Sequence, residues 1–415
     1  MYYTSDITDM STKRLTKEKP NRLSILKDAH DIICFSHIRW NSSYQRPQQL
    51  LSRAASGHRV FFVEEPKCTD ARVAPYLEMS HPVSGVTVVV PVLPELDAIV
   101  AARAQAQLID ELVADKGINS FVLWYYTPMA LTFTSHLHPA LVVYDCIDEL
   151  GALKGSPAEL PLLERDLLLR ADIVFAGGPS LFESKSSQHN NVYLSPSGVD
   201  VQHFAKARSL DFKEPDDQAS IVGPRLGFFG VIDERFDSRL VRGIAKARRD
   251  WQVVLIGPIE RVDPMTLPKL PNIHYLGSKK YEELPSYIAG WEIAILPFVR
   301  NESTRFVSPI KIPEYLAAGR RVISTSVPDV VNSYGRKQLV NIADTSERFI
   351  AISEKILFGK HDDGMWLANV DDHLKEMSWD RVWQRMWDLI VDSLNDPNRY
   401  LKPFTHESIR TPLAL

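Results

Sequence analysis

Two doubly wound α/β domains in tandem are the fold class this sequence predicts, and three observations predict it. Short apolar runs rich in β-branched residues recur along the first half: DIICF (31–35), RVFFVEE (59–65), TVVVPV (87–92), SFVLWYY (120–126), ALVVYD (140–145) and ADIVFAG (171–177). Helical stretches near 97–115, 157–170 and 179–187 separate several of them, and such alternation implies βαβ units around a parallel sheet. The design then restarts with RLGFFGV (225–231), WQVVLIG (251–257), IHYLG (273–277), EIAILPF (292–298), RVIST (321–325) and QLVNIAD (338–344). Between the halves, residues 206–222 are polar with no sustained apolar pattern, which reads as a linker. A chain of 415 residues has material for two such cores.

Composition narrows the function classes. A hydrophobic content of 45% with 24% charged residues describes an ordinary globular protein, and a net charge of −4 argues against a nucleic-acid binder. Cys34, Cys68 and Cys146 are scattered with no C-x-x-C, which points to a reducing compartment and away from structural zinc. No apolar run reaches the roughly 18 residues of a membrane span and no signal peptide opens the chain, so a cytoplasmic location is expected. Residues 1–30 lack apolar periodicity and read as a mobile arm. Its Lys13, Arg14, Lys17 and Lys19 suit either a solvated tail or peripheral contact with the cytoplasmic face of an anionic membrane. No G-x-G-x-x-G follows a strand and no G-x-x-x-x-G-K-[ST] occurs, which disfavours a dinucleotide oxidoreductase and a P-loop NTPase.

The elements in order supply the candidate site. After DIICF comes SHIRWNSSYQRPQQLL, with a helix expected from about Tyr44 to Ala55. His37, Arg39, Trp40 and Arg46 therefore lie just past a strand's carboxyl end, where open α/β sheets bind ligands. Alternatively the arginines form surface ion pairs of little energetic weight. Tyr126 ends another strand. YDCIDE places Asp145 and Asp148 at the next, where one of them would orient or deprotonate a hydroxyl, or Asp145 would cap the following turn. In the second half GVIDERFDSR offers Arg235 and Arg239, guanidinium groups suited to a diphosphate or to surface pairing. In the tail, Ser378 is a good N-cap, and Trp379, Trp383 and Trp387 at i, i+4, i+8 with Met386 and Ile390 form a core-facing stripe.

The densest stretch is SPIKIPEYLAAG (308–319), followed by RRVIST (320–325). Ser308 as cap and Pro309 at the first position start a short helix, Pro313 makes its first turn irregular, and Gly319 ends it before a buried strand. Lys311 and Glu314, three apart, share one side of that first turn. There a carboxylate would accept both hydroxyls of a ribose while the lysine and the helix start hold a diphosphate. The plainer alternative is that Glu314 complements the helix dipole and Lys311 is a solvated charge.

This string resembles the donor-binding segment, P-x-K-x-x-E-x-x-A-x-G, of GT-B glycosyltransferases of the family-4 type, the group 1 glycosyl transferases. SPSGVDVQHF (195–204) is similar to the N-G-V-D-x-x-x-F element that ends the first domain in that family. SHIRW…YQRPQ resembles the first loop of a bacterial surface-polysaccharide subgroup. The resemblance implies two Rossmann-like domains facing across a cleft, with a C-terminal helix crossing back. The expected parts are an arm (1–30), an acceptor-side domain (31–205), the linker (206–222), a donor domain (223–376), the crossover helix (377–395) and a tail (396–415). It implies transfer of a sugar, with retention, from a nucleotide-diphosphate donor such as a UDP- or GDP-sugar to a glycan, lipid-linked or small-molecule acceptor. No cofactor and no metal are expected. By position, Glu314 is the ribose ligand and Ser308, Pro309 and Ile310 lie beside the phosphates. Arg235 and Lys311, with Arg239 nearby, stand where a cation would otherwise neutralise the leaving group. Asp145 is the expected catalytic carboxylate, and His37, Arg39, Trp40, Arg46 and Tyr126 the acceptor-side groups.

The sequence departs from the family at four places. The Gly-Gly of the first loop is absent, and Tyr126-Thr127-Pro128 stands where a histidine commonly faces the sugar. Phe306 occupies the region of the first glutamate of the E-x7-E pattern, leaving Glu302 as its substitute, and no lysine follows Arg235. A sugar-nucleotide epimerase and a catalytically silent binding module on the same fold therefore stand as alternatives.

Overall fold

The computed structural model describes residues 30–396, except 43, 153–154, 210–212 and 361. The basic arm before His30 and the tail beyond Asp396 lie outside the described residues. The first domain is built on a nine-stranded sheet. Its strands are β1 (Asp31–Ser36), β2 (Val60–Glu64), β3 (Lys67–Thr69), β4 (Tyr76–Ser80), β5 (Val86–Pro94), β6 (Phe121–Tyr125), β7 (Leu141–Cys146), β8 (Ile173–Ala176) and β9 (Val192–Leu194). The order is β3-β5-β2-β1-β6-β7-β8-β9, with β4 added antiparallel to β5 and every other pairing parallel. β1, β2, β6 and β7 are buried along their whole length, as expected of strands covered on both faces, and this is why they read as unbroken apolar runs. β3 and β4 are largely exposed and carry no such run.

The second sheet has six strands: β10 (Arg225–Phe229), β11 (Gln252–Ile256), β12 (Ile273–Gly277), β13 (Ile293–Leu296), β14 (Arg321–Ser324) and β15 (Asn341–Ile342). Their order is β12-β11-β10-β13-β14-β15, all parallel. In each sheet the winding reverses beside the first strand, β1 between β2 and β6 and β10 between β11 and β13. The loops after β1, β6, β10 and β13 therefore flank the crevices that such sheets offer to ligands.

Two boundaries differ from expectation. The stretch 206–222 is not a free linker: Ala207 and Ile221 are buried in the core of the second domain. Gln218 donates to the Tyr287 carbonyl at 2.9 Å and accepts from Trp291 Nε1 at 2.9 Å, and Arg208 donates to the Ala317 carbonyl at 2.7 Å. Polar residues satisfied by backbone carbonyls leave no apolar signature, so the sequence conceals this packing. The segment 308–319 folds as helix Lys311–Ala317, starting after Ser308, which makes no side-chain cap. Its end is as expected: Gly319 adopts φ +71°, Gly319 N–H donates to Leu316 O and Arg320 N–H to Tyr315 O, a Schellman closure.

Helix Trp379–Leu394 returns to the first domain. Trp379, Val382, Met386 and Ile390 are buried against its sheet, and Trp383 stacks on Trp124 at 6.2 Å between ring centres. Among the described residues no helix is long and apolar enough to cross a membrane.

Candidate active site

The donor-side half begins at β10. Gly230, at φ +141°, lets the chain turn away while Lys311 lies on it: a Cβ there would sit 1.9 Å from Lys311 Cε. Tyr315, fully buried, accepts from Phe229 N–H at 3.0 Å, which ties the helix carrying Lys311 and Glu314 to the end of β10. Lys311 and Glu314 lie within electrostatic reach of each other. Burial lowers the Lys311 pKa, with the Arg235 charge acting in the same direction and Glu314 opposing. Burial likewise raises the Glu314 carboxyl to about 8, against the pull of Lys311. Glu314 Oε2 is buried and has no hydrogen-bond partner.

Arg235 follows on the loop after β10, gripped by Asp233, which accepts from its Nε at 3.0 Å and Nη2 at 2.5 Å. Asp233 also accepts from Arg261 at 2.8 Å, and Arg261 holds a left-handed backbone at φ +56°. Burial alone would raise the Asp233 carboxyl, but these hydrogen bonds and charges hold it below its ordinary value. Two guanidinium groups thus share one carboxylate, and the charge of one of them, Arg235, reaches Lys311.

Across the cleft, the turn after β7 brings Asp148 to these cations. Burial raises its pKa, opposed by the charges of Arg235, Lys311 and Arg261. Asp145 is placed differently, and this corrects the catalytic expectation. It lies within β7, fully buried, and receives Arg46 Nε at 3.0 and 3.1 Å and Nη2 at 2.8 Å. Arg46 is buried too and also donates to the Ser195 carbonyl at 2.8 Å. The pair fastens helix Arg46–Ala54 to the sheet and neither group faces the cleft.

The other acceptor-side expectations divide. Trp40 is core, packed edge-on against Phe62 at 5.1 Å, and Arg39 is held by Glu64 at 2.9 Å and the Glu65 carbonyl at 2.7 Å. His37 is half-buried with Nδ1 unpartnered, and burial lowers its pKa to about 4, so it is neutral at physiological pH. Tyr126 is buried with its hydroxyl unpartnered, and burial beside Asp145 raises its pKa. On the donor side, Ser308 and Ile310 are half-buried and Pro309 is buried, while Arg239 is exposed on the first turn of helix Ser238–Ala247. Glu302 is also solvent-facing, 3.5 Å from Arg305. Sequence reasoning missed Arg261, which no motif marks, and Tyr281, which stacks on His203 at 4.3 Å and lies within electrostatic range of Glu314. No group of three metal-ligating side chains occurs among the described residues.

Two Rossmann-like domains meeting over this cluster define the GT-B class of glycosyltransferases. The comparisons agree. The family model "Glycosyl transferases group 1" matches residues 223–357. The putative teichuronic acid biosynthesis glycosyltransferase TuaH of Bacillus subtilis (strain 168) is 25% identical over 304 residues, covering 67% of this chain and 74% of that protein. Among solved structures, the sucrose-phosphate synthase of Thermosynechococcus elongatus superposes with a TM-score of 0.64 at 14% identity, over 88% of this chain and 98% of that one. HepE of Anabaena, in complex with UDP and glucose, gives 0.61 at 12% identity, over 87% and 99%. At these identities the structural likeness speaks for the fold alone. The chain is a glycosyltransferase, and its residues 223–357 are similar to the glycosyl transferases group 1.

Proposed function

We propose that this glycosyltransferase moves a sugar, with retention of configuration, from a nucleoside diphosphate donor to a hydroxyl of a glycan or lipid-linked glycan. The likeness to a teichuronic acid enzyme favours a surface polysaccharide as the product. The observation that carries the reading is the buried, unpartnered Oε2 of Glu314 beside Lys311, itself laid on Gly230. An unsatisfied buried carboxylate is costly, and ribose hydroxyls are the donors that would relieve it. Lys311 and Arg235 then neutralise the diphosphate as the bond from the anomeric carbon to phosphate oxygen breaks. The acceptor oxygen bonds to that carbon, and its proton passes to Asp148, which takes the place first given to Asp145. The positive charge for the leaving group is thus supplied by the protein, and a chelator is expected to leave turnover intact.

The test is calorimetric titration with UDP-, GDP- and ADP-linked sugars, then turnover with those that bind and proton NMR of the product anomer. Failure of all donors to bind, or binding indifferent to Glu314→Ala, overturns the reading.

A further inference from the structure

Two consecutive glycines after β8 stand between the halves of the cleft. A Cβ on Gly177 would come within 3.1 Å of Ile147 Cα, and Gly177 N–H donates to the Cys146 carbonyl at 2.8 Å. That side is the turn carrying Asp148. A Cβ on Gly178 would lie 2.6 Å from Ser308 Cβ and 2.1 Å from Asp329 Oδ2, so its other side is the donor segment. Only residues without side chains admit both neighbours at once.

The helix that follows, Pro179–Ser186, is gripped at both ends. At its start, Asp329 of the second domain accepts from Ser180 N–H at 3.0 Å and Ser180 Oγ at 2.5 Å. Near its end Lys185, buried at 1% exposure, donates to Glu149 at 3.0 and 3.1 Å and pairs with Glu164 at 2.8 Å. Tyr144 donates to the same Glu164 at 2.6 Å. Glu149 is the residue after Asp148, whose carbonyl in turn accepts the Cys146 thiol at 3.6 Å. A buried ammonium between carboxylates contributes little net stability over an apolar core, but it fixes one arrangement of the groups around it.

We propose that Ser180 and Lys185 are positioning residues. Contact of the donor domain with helix Pro179–Ser186, made through Asp329 and Ser308, sets Asp148 in place through Lys185 and Glu149. Asp148 is thereby held where it is needed when the domains are together over the donor. This rests on the role given to Asp148 above.

The experiment is a double-mutant cycle on the full chain, using the nucleotide sugar selected by the donor screen. Lys185→Met lowers kcat about tenfold to a hundredfold and Ser180→Ala by a smaller factor, with donor KM unchanged, because small displacements of a catalytic group carry losses of this size. In an Asp148→Asn background neither change lowers kcat further, since groups acting as a unit are not additive. Equal losses in both backgrounds, or a loss in KM alone, overturn the inference while leaving the function standing. An Asp148→Asn enzyme with undiminished turnover, or a screen that selects no donor, overturns the assignment of Asp148 and this inference with it. If Lys185→Met does not fold, Ser180→Ala at the far end of the helix decides the matter.

Discussion

The two domains share one architecture, yet they treat carboxylates differently at the strand ends that face each other. In the first domain the prominent cations are closed upon partners: Arg46 on Asp145, Arg39 on Glu64, Lys185 on Glu149 and Glu164. In the second, Arg235 and Arg261 are likewise held by Asp233, but two carboxylates are left open. Glu314 Oε2 has no partner, and both carboxylate oxygens of Glu234 lack a hydrogen bond, with Arg261 Nε 3.4 Å away. Buried pairs fix loops, whereas buried unpaired groups cost about 1–3 kcal/mol each until something satisfies them. The difference teaches which side is scaffold and which side awaits a ligand: nucleotide binding is expected to stabilise the fold by satisfying the second domain.

The sharpest way to break this comparison is to treat the two aspartates alike. Asp148→Asn is expected to lower kcat by about 10²–10⁴-fold with an unchanged melting temperature, the range typical of a positioned general base. Asp145→Asn strands the Arg46 guanidinium and is expected to cost about 3–5 kcal/mol of stability, seen by scanning calorimetry, with turnover preserved in the molecules that fold. If Asp145→Asn instead abolishes turnover at full stability, the two residues have been assigned the wrong way round.

Next in size is Glu314→Ala. Donor affinity is expected to fall by about 1.5–3 kcal/mol for each hydrogen bond lost, while the empty protein keeps or gains stability because an unsatisfied buried carboxylate has gone. Titration calorimetry and thermal melts separate the two effects.

Protonation sharpens the same point. Glu314 has its folded pKa raised from 4.5 to about 8, so the folded protein holds this proton more tightly than the unfolded chain. Its linkage therefore lowers stability as pH rises between those two values, and ionising it to receive ribose becomes easier over the same interval. Donor affinity is expected to strengthen from about pH 6 to 8 by no more than about tenfold per unit. Glu314→Gln should remove that slope; a slope that survives assigns it to another group. The smallest effect expected is that of Glu302→Ala, exposed and paired with Arg305: within about 0.5 kcal/mol in stability, with donor affinity unchanged.

How far the sequence reveals this molecule depends on burial. Strands covered on both faces announce themselves, and all those expected are present. β3 and β4 escape because half-exposed strands of three to five residues carry no apolar run, and β9 because its run is only three residues long. The donor helix is legible from its lysine, glutamate and closing glycine, but its start is displaced because Ser308 stands beside Gly178 of the other domain. Asp145 misleads for a local reason: β7 continues one residue past it to Cys146, which places the carboxylate inside the sheet. Its partner Arg46 lies 99 residues away, and no pattern along the chain could join them. The linker misleads because satisfied polar residues look the same in sequence as solvated ones.

Among the described residues the chain crosses between its domains twice, and the two crossings are fastened together: Val199 N–H donates to the Met377 carbonyl at 2.8 Å, and Val199 and Ser378 form a parallel bridge. The domains are therefore not beads on a string. A single cut at the first crossing, beside Val199, releases neither half, because the last helix, packed on Trp124 and Phe175 of the first sheet, still joins the second domain to the first. The topology is that of a clasped ring, and a protease would have to open it at both crossings before either half could diffuse away.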